Sequence, residues 1–267
     1  MQRFYPGRFD GKVALIMGVG RGSTKEAAVR MAAEGANMAV TDIVKEYADK
    51  AAEECRSYGR KALAFAADAA DGKMTREIVE QANNELGKID ILVYAAIPIA
   101  IGEKRGALRP FHETGDEEWD REYAVTLRGF IYALKAVLPG MMGRNYGKIV
   151  FIATDAARQG STGQAVDGAM KAAGIGLVKT LAREYARYKI NVNVVSPGPH
   201  ATPLVKEQLE AAGEFSSKII QGMVGWVPFK RLGEPDEIGA VTCFMASDDA
   251  SYMTGQTISV SGGLSMF

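Results

Sequence analysis

The chain alternates short runs of apolar residues with longer stretches in which apolar and polar residues recur at helical spacing. The apolar runs cover residues 13–17, 38–40, 62–66, 89–95, 148–152, 190–195 and 257–260. The amphipathic stretches lie between most of them, at 25–34, 45–58, 73–86 and 169–188. Short buried strands separated by helices indicate βαβ units and a parallel sheet. The pattern therefore predicts an α/β fold, with a doubly wound sheet of seven parallel strands and helices on both faces.

No break in composition divides the chain, so a single domain over residues 1–267 is expected. Two connections, near 97–116 and 196–226, are longer than a turn needs. Loops at the carboxyl ends of such strands usually form the ligand crevice, although both can be simple surface insertions. Their large apolar residues favour a small apolar or cyclic substrate. These residues are Phe111, Leu204, Phe215, Met223 and Trp226.

Composition and charge exclude several other classes of protein. The 32 Lys and Arg residues are balanced by 32 Asp and Glu residues, so the sequence has no excess of basic residues that would indicate nucleic-acid binding. Arg128 and Lys135 interrupt the apolar segment 125–138, which is shorter than the ~20 residues of a membrane span. Cys55 and Cys243 fall in predicted helices and cannot form a disulfide framework. A cytoplasmic location without a membrane partner is the expectation.

The first predicted strand ends in a glycine-rich turn, and a helix follows. Gly18 and Gly22 allow a tight turn and a close approach of the backbone to a pyrophosphate. The helix N-terminus supplies N–H groups and a partial positive charge, and Ser23 and Thr24 add hydroxyl donors. Directly after the first strand of a βαβ unit, this turn indicates a dinucleotide site and a Rossmann-type fold.

The second predicted strand ends at Asp42. Its carboxylate can accept hydrogen bonds from both ribose hydroxyls of an adenosine and would repel a 2′-phosphate. NAD is therefore the expected cofactor, and NADP is less favoured. Arg21 weakly favours NADP, because a guanidinium near the ribose can pair with the 2′-phosphate. Asp42 can also cap the helix that begins near Val44, and the two roles are compatible.

Further motifs follow in a recognisable order. Asp68 comes after the third strand, Ser-Pro-Gly-Pro-His-Ala-Thr occupies 196–202, and Thr-Gly-Gln at 254–256 precedes a Gly-Gly pair at 262–263. On these motifs the chain resembles the classical short-chain dehydrogenase/reductase family over nearly its whole length. The resemblance implies an NAD-dependent oxidoreductase with sixteen cofactor contacts. These are Gly18, Gly20, Arg21, Gly22, Ser23, Thr24, Asp42, Ile43, Asp68, Ala69, Ala95, Ala96, Lys171, Pro197, Gly198 and Thr202.

The resemblance also assigns four catalytic positions, and three of them carry unexpected residues. The family uses an asparagine, a serine, and a tyrosine and lysine from YxxxK on one helix. Lys171 is the lysine, but Asp167 stands in the place of the tyrosine. Thr154 replaces the serine, and Thr126 replaces the asparagine. The chain therefore resembles a divergent member of the family that lacks the catalytic tyrosine.

An aspartate changes the available chemistry. A phenol has an ordinary pKa near ~10 and a carboxylic acid near ~4, so the acid is ionised at neutral pH. Asp167 beside Lys171 then cannot donate a proton to a carbonyl oxygen, but it can accept one, orient a water or stabilise a cation such as an iminium. Thr154 still offers a hydroxyl. The pair can also be an ordinary i,i+4 ion pair on a helix.

Two other residues can supply a proton. Tyr94 ends the fourth strand near the expected crevice, and His200 lies in the segment that resembles the nicotinamide contact. An imidazole suits proton transfer near neutral pH. No HxH, HExxH or CxxC spacing occurs, so no metal site is expected.

Three functions stay open on these residues. The first is an NAD(H)-dependent oxidoreductase with an atypical active site. The second is a non-redox lyase, isomerase, hydrolase or cyclase that uses Asp167 as a base, and the third is a non-catalytic NAD-binding protein. The resemblance further implies a small-molecule substrate and a homo-oligomer, either a dimer or a tetramer.

Overall fold

A computed structural model describes residues 4–98, 110–203, 205–206, 222 and 224–266. Within these ranges, seven parallel strands form one sheet in the order β3-β2-β1-β4-β5-β6-β7. The strands are β1 (Val13–Met17), β2 (Asn37–Asp42), β3 (Ala62–Ala66), β4 (Ile91–Tyr94), β5 (Gly147–Ile152), β6 (Ile190–Pro197) and β7 (Thr257–Val260). The predicted seven-stranded, doubly wound α/β fold is confirmed.

Helices cover both faces of this sheet. They are α1 (Ser23–Ala33), α2 (Lys45–Arg56), α3 (Gly72–Glu85), α4 (Asp116–Glu122), α5 (Gly129–Arg144), α6 (Ala156–Gln159), α7 (Ala165–Tyr185) and α8 (Pro235–Met245). Successive side chains of β1 point to opposite faces, as a strand requires. Leu15 joins a core with Phe130 of α5 and Val178 of α7. Ile16 joins a second core with Ala28 of α1 and Cys243 of α8.

The strand register brings several chain reversals to one edge of the sheet. Met17 at the end of β1 pairs with Thr41 of β2 on one side and with Tyr94 of β4 on the other. On the far side of β4, Ile152 at the end of β5 pairs with Val195 of β6. Because all the strands are parallel, the loops after them share this carboxyl edge, which is where an open α/β sheet binds its ligand.

The helical run 116–144 consists of α4, a π-helical segment (Tyr123–Arg128) and α5. This run alone among the described residues is long and apolar enough to cross a membrane, and half of its most apolar window is buried inside the fold. Core helices of globular domains have the same properties. The run packs against α3 and α7, which accounts for its apolar composition.

Some predicted boundaries were wrong. The fourth apolar run, 89–95, forms a strand only over Ile91–Tyr94, because Asp90 and Ala95 lie in its connections. β6 extends to Pro197, two residues past the end of the predicted apolar run 190–195 and into the predicted second long loop. Much of both loops lies outside the described residues, including Leu204, Phe215 and Met223.

Candidate active site

The glycine turn after β1 leaves no space for side chains at its start. Gly18 has a φ of +79°, and its N–H donates to the carbonyl of Thr41 at 3.0 Å. A Cβ atom on Gly18 would lie 2.5 Å from the Cα of Ala96 and 2.8 Å from the carbonyl carbon of Ala95. The turn is thus wedged between the ends of β2 and β4, and only glycine satisfies both conditions.

The Asp42 carboxylate holds the next part of this turn. One oxygen accepts the N–H of Gly20 at 2.9 Å, and the other accepts the N–H of Val44 at 2.9 Å. Burial raises the pKa of Asp42 above the ordinary aspartate value, although these hydrogen bonds act in the opposite direction. Helix α2 begins at Lys45 after an N-cap at Val44, so Asp42 does not occupy the N-cap position.

Helix α1 presents its N-terminus to the same crevice. Its N-cap is Gly22, without a side-chain capping bond, and Ser23 and Thr24 form its half-buried first turn. A Cβ atom on Gly22 would lie 3.0 Å from a methyl carbon of Thr202. The structure therefore brings the 196–202 segment against the glycine turn. Arg21 is exposed and stacks over the ring of Tyr47, 5.1 Å from its centroid.

The segment after β6 is fixed by backbone contacts. The Gly198 N–H donates to the carbonyl oxygen of Val260 at 3.0 Å. A Cβ atom on Gly198 would lie 2.6 Å from the Cβ of Ser261. The Gly198 carbonyl accepts a hydrogen bond from Nδ1 of His200 at 2.9 Å. Since a carbonyl only accepts, this contact places a proton on Nδ1.

Asp68 and Ala69 form another wall of the crevice, after β3. The Ala67 N–H donates to the Asp42 carbonyl at 2.8 Å, which places this loop beside the end of β2. One Asp68 oxygen accepts the Ala70 N–H at 2.9 Å, and Arg121 Nη1 lies 3.0 Å from the other. The sequence did not single out Arg121, which is 53 residues away along the chain.

Asp167 and Lys171 lie one turn apart on α7 and form an ion pair. The Lys171 Nζ is 3.2 Å from Asp167 Oδ1, and the two side chains are 9% and 23% exposed. Both groups are therefore largely removed from solvent, unlike an ordinary surface pair. The attraction between the two charges keeps both side chains in this position. The pair thus places a carboxylate at the position where the family resemblance predicts the phenol of a tyrosine.

The other two predicted catalytic positions lie on elements that pack against α7. Thr154 follows β5, and its hydroxyl oxygen is 3.4 Å from the Ala156 N–H at the start of α6. A Cβ atom on Gly168, next to Asp167, would lie 3.6 Å from the Ala156 carbonyl oxygen. Thr126 is buried in the π-helical segment, which also contacts α7.

Glu122 is a buried acid that sequence reasoning missed. The Thr126 hydroxyl donates to a carboxylate oxygen of Glu122, one turn earlier in the same helical run. This bond commits the only hydroxyl proton of Thr126, so the Thr126 oxygen can only accept further hydrogen bonds. A glutamate four residues before Thr126 was the available signal.

Asp155 is a second buried acid next to a predicted catalytic residue. It is 1% exposed, and one of its oxygens accepts the hydroxyl of Ser259 in β7. Its N–H donates to the Pro197 carbonyl at 3.0 Å, and Arg158 lies 3.6 Å from its other oxygen. Asp155 therefore ties the end of β5, beside Thr154, to the ends of β6 and β7.

The structure removes Tyr94 from the candidate proton donors. Its side chain is fully buried between Phe130 and Phe151, and its hydroxyl donates to the Val125 carbonyl. Burial raises the pKa of Tyr94 above the ordinary tyrosine value. Its position at the strand end suggested the crevice, but the side chain points into the core beneath the π-helical segment.

The carboxyl edge fits a dinucleotide by several independent features. The glycine turn is closed to side chains, the N-terminus of α1 has no side-chain cap, and a buried carboxylate lies beside it. Together these suit a pyrophosphate and an adenosine ribose. Within the described ranges, no cluster of three or more His, Cys, Asp or Glu side chains can hold a metal ion.

This fold and site define an α/β protein with a Rossmann-like sheet, whose carboxyl edge suits a dinucleotide. Comparison with known proteins refines the class. A family model described as enoyl-(acyl carrier protein) reductase matches residues 18–265. The chain belongs to the short-chain dehydrogenase/reductase family of oxidoreductases.

Named relatives and solved structures agree with this family. The chain is 35% identical over 257 residues to a 3-oxoacyl-(acyl-carrier-protein) reductase of Thermotoga maritima, covering 96% of this chain and 99% of the relative. It is 33% identical to a 2,3-dihydro-2,3-dihydroxybenzoate dehydrogenase of Bacillus subtilis, covering 96% and 97%. A levodione reductase and an NAD+-bound xylitol dehydrogenase each superpose with a TM-score of 0.87, at 30% and 31% identity. The first covers 96% of this chain and 98% of the reductase, and the second covers 96% and 99%.

Proposed function

We propose that this chain is an NAD(H)-dependent oxidoreductase in which Asp167 takes the place of the catalytic tyrosine. The observation that carries the proposal is the Asp167–Lys171 pair, 3.2 Å apart and largely buried on α7. Bound in the crevice, the nicotinamide would accept or supply the hydride. Gly18, Gly22, Asp42 and Lys171 would hold the cofactor, with Asp42 favouring NAD over NADP.

The carboxylate sets the direction of proton movement at the substrate. Asp167 can accept a proton from an ammonium group, or face the positive charge of an iminium, but it has no proton to give to an oxyanion. The Thr154 hydroxyl would hold the reacting heteroatom. Carbon–nitrogen oxidation or reduction therefore suits this pair better than ketone reduction. The Trp226 side chain, at the edge of the second long loop, favours a small apolar or cyclic substrate.

Assembly and location complete the proposal. A homo-oligomer, either a dimer or a tetramer, is consistent with family membership, and sedimentation at several concentrations would test it. A cytoplasmic enzyme acting on a small molecule fits two reduced, buried cysteines and a balanced charge.

Cofactor titration followed by turnover tests the function. We expect NADH to bind with enhanced fluorescence and more tightly than NADPH. Cyclic amines should then reduce NAD+, whereas the matched cyclic alcohols should not. Failure of both cofactors to bind would overturn the proposal. Binding without hydride exchange across the panel would instead favour a non-redox use of Asp167 or a non-catalytic cofactor-binding role.

A further inference from the structure

The Asp68 carboxylate is held on both of its oxygens, one of them by a residue from a distant helix. The Ala70 N–H donates to one oxygen at 2.9 Å. Arg121 Nη1, on α4, lies 3.0 Å from the other. The orientation of this acid is therefore fixed by the fold before any ligand arrives.

This ion pair lies on the same side of the crevice as Asp42, the residue proposed to bind the adenosine ribose. The loop that carries Asp68 is tied to Asp42 through the Ala67 N–H, and Asp42 in turn holds the Gly20 N–H of the glycine turn. The Asp68 and Arg121 side chains are 38% and 41% exposed, so a ligand can reach both of them. An ion pair this exposed contributes little to folding stability, so its replacement should leave the fold intact.

We propose that Arg121 is a positioning residue for the adenine half of the cofactor; this rests on the NAD(H)-dependent function proposed above. Its guanidinium fixes the Asp68 carboxylate so that the second lone pair of that oxygen can accept the adenine amino group. A guanidinium is also planar and stacks on aromatic rings, which an ammonium does less well. Arg121 thereby favours an adenine dinucleotide over a nicotinamide mononucleotide.

The test compares NADH with reduced nicotinamide mononucleotide, which lacks the adenosine monophosphate half. NADH and reduced nicotinamide mononucleotide are titrated by fluorescence into the wild-type protein, Arg121→Leu and Arg121→Lys. Arg60→Leu is the matched control, because Arg60 is 40% exposed and pairs with Asp10 at 3.9 Å, away from the crevice. We expect Arg121→Leu to weaken NADH binding about five- to tenfold and to leave mononucleotide binding unchanged. Arg121→Lys should have an NADH affinity between those of the wild-type protein and Arg121→Leu, and Arg60→Leu should alter neither affinity.

The outcomes separate this inference from the proposed function. If the wild-type protein binds NADH and Arg121→Leu binds it equally well, the positioning role is overturned and the NAD(H) function stands. Equal losses for both cofactors would also overturn it, because they would indicate general damage to the fold. If wild-type protein binds neither NADH nor NADPH, the proposed function fails and the role of Arg121 fails with it. A double-mutant cycle with Asp68→Asn should show that the two losses are not additive.

Discussion

The Lys171 ammonium lies 3.2 Å from the Asp167 carboxylate, one helical turn away on a helix that packs against the end of β5 and the π-helical segment. In a buried setting each charge depends on the other, since removal of one partner leaves the second without compensation. The pair thus keeps the lysine ordered without a phenol.

Replacement of Asp167 tests its role in catalysis. Asp167→Asn keeps the shape but removes the proton acceptor, so we expect kcat to fall about 10²- to 10⁴-fold. The NADH dissociation constant should rise much less, through the loss of the partner that orders Lys171. Asp167→Tyr should gain oxidation of secondary alcohols. Stopped-flow and steady-state absorbance of NADH report both changes.

A surface pair on another helix provides the control for this replacement. Lys45 and Asp49 form an exposed i,i+4 pair at 2.6 Å on α2, so Asp49→Asn removes the same kind of contact from a solvent-exposed helix surface. It should change neither turnover nor cofactor affinity. If Asp167→Asn behaves like Asp49→Asn, the pair on α7 is only structural.

Tyr94→Phe distinguishes a structural tyrosine from a proton donor. The ring would remain packed between Phe130 and Phe151, but the Val125 carbonyl would lose its donor. The Val125 carbonyl lies inside a continuous helical run, so the loss is that of one hydrogen bond, and the free energy of unfolding in urea should fall by about 0.5–1.5 kcal/mol. Turnover per folded molecule should be unchanged. A hundredfold loss of kcat without loss of stability would contradict the buried position of this hydroxyl.

The two cysteines should be inert in the native protein. Burial raises the pKa of the Cys55 thiol to about 12 and also raises that of Cys243, whose Sγ donates to the Ala27 carbonyl at 3.4 Å. Little thiolate then exists at mildly alkaline pH, and thiolate is the reactive form. Ellman's reagent should detect no thiol before unfolding and two per chain in denaturant. Rapid labelling of folded protein would mean that α2 or α8 opens readily.

Most strands of the sheet could be predicted from the sequence because they are buried and appear as short apolar runs. The edge strands β3 and β7 are only partly buried, and β6 carries Asn191 and Asn193. The carboxyl-end positions of Gly18 and Asp42 follow directly from those strand ends. Their close contacts, Gly18 with Ala96 and Asp42 with Gly20, agree with the predicted crevice. Local pattern was sufficient here, since the topology of a parallel sheet brings all these loops to one edge.

The directions of individual side chains and the contacts between residues far apart in the chain could not be predicted from the sequence. Tyr94 ends a strand at the crevice, yet its ring lies in the core because alternate strand residues face opposite sides of the sheet. Arg121 reaches Asp68 only through the packing of α4 against the rest of the fold. Glu122 carries no motif, and its role emerges from the hydrogen bond that it receives from Thr126.

The raised pKa of Asp42 predicts opposite pH dependences for stability and for cofactor binding. Burial makes the ionised carboxyl costly, so the free protein should lose stability from this group as pH rises from the ordinary value of 3.8 through the raised pKa. Ribose hydroxyls donate to the ionised form, so NAD+ affinity should fall about tenfold for each pH unit below the raised pKa. The thermal shift that NAD+ produces should therefore increase as pH rises through this range.

Two comparisons isolate Asp42 from the other carboxyl groups that titrate in the same range. Nicotinamide mononucleotide lacks the adenosine ribose, so its thermal shift should not follow the same pH dependence. Asp42→Asn has no titrating group and should flatten the NAD+ profile, while it also lowers affinity at neutral pH because an amide offers only one acceptor oxygen. The Gly20 and Val44 N–H groups each donate to a separate oxygen of this carboxylate, so that variant would also loosen the glycine turn. A pH profile for NAD+ that is identical in wild-type protein and Asp42→Asn would show that ribose recognition lies elsewhere in the crevice.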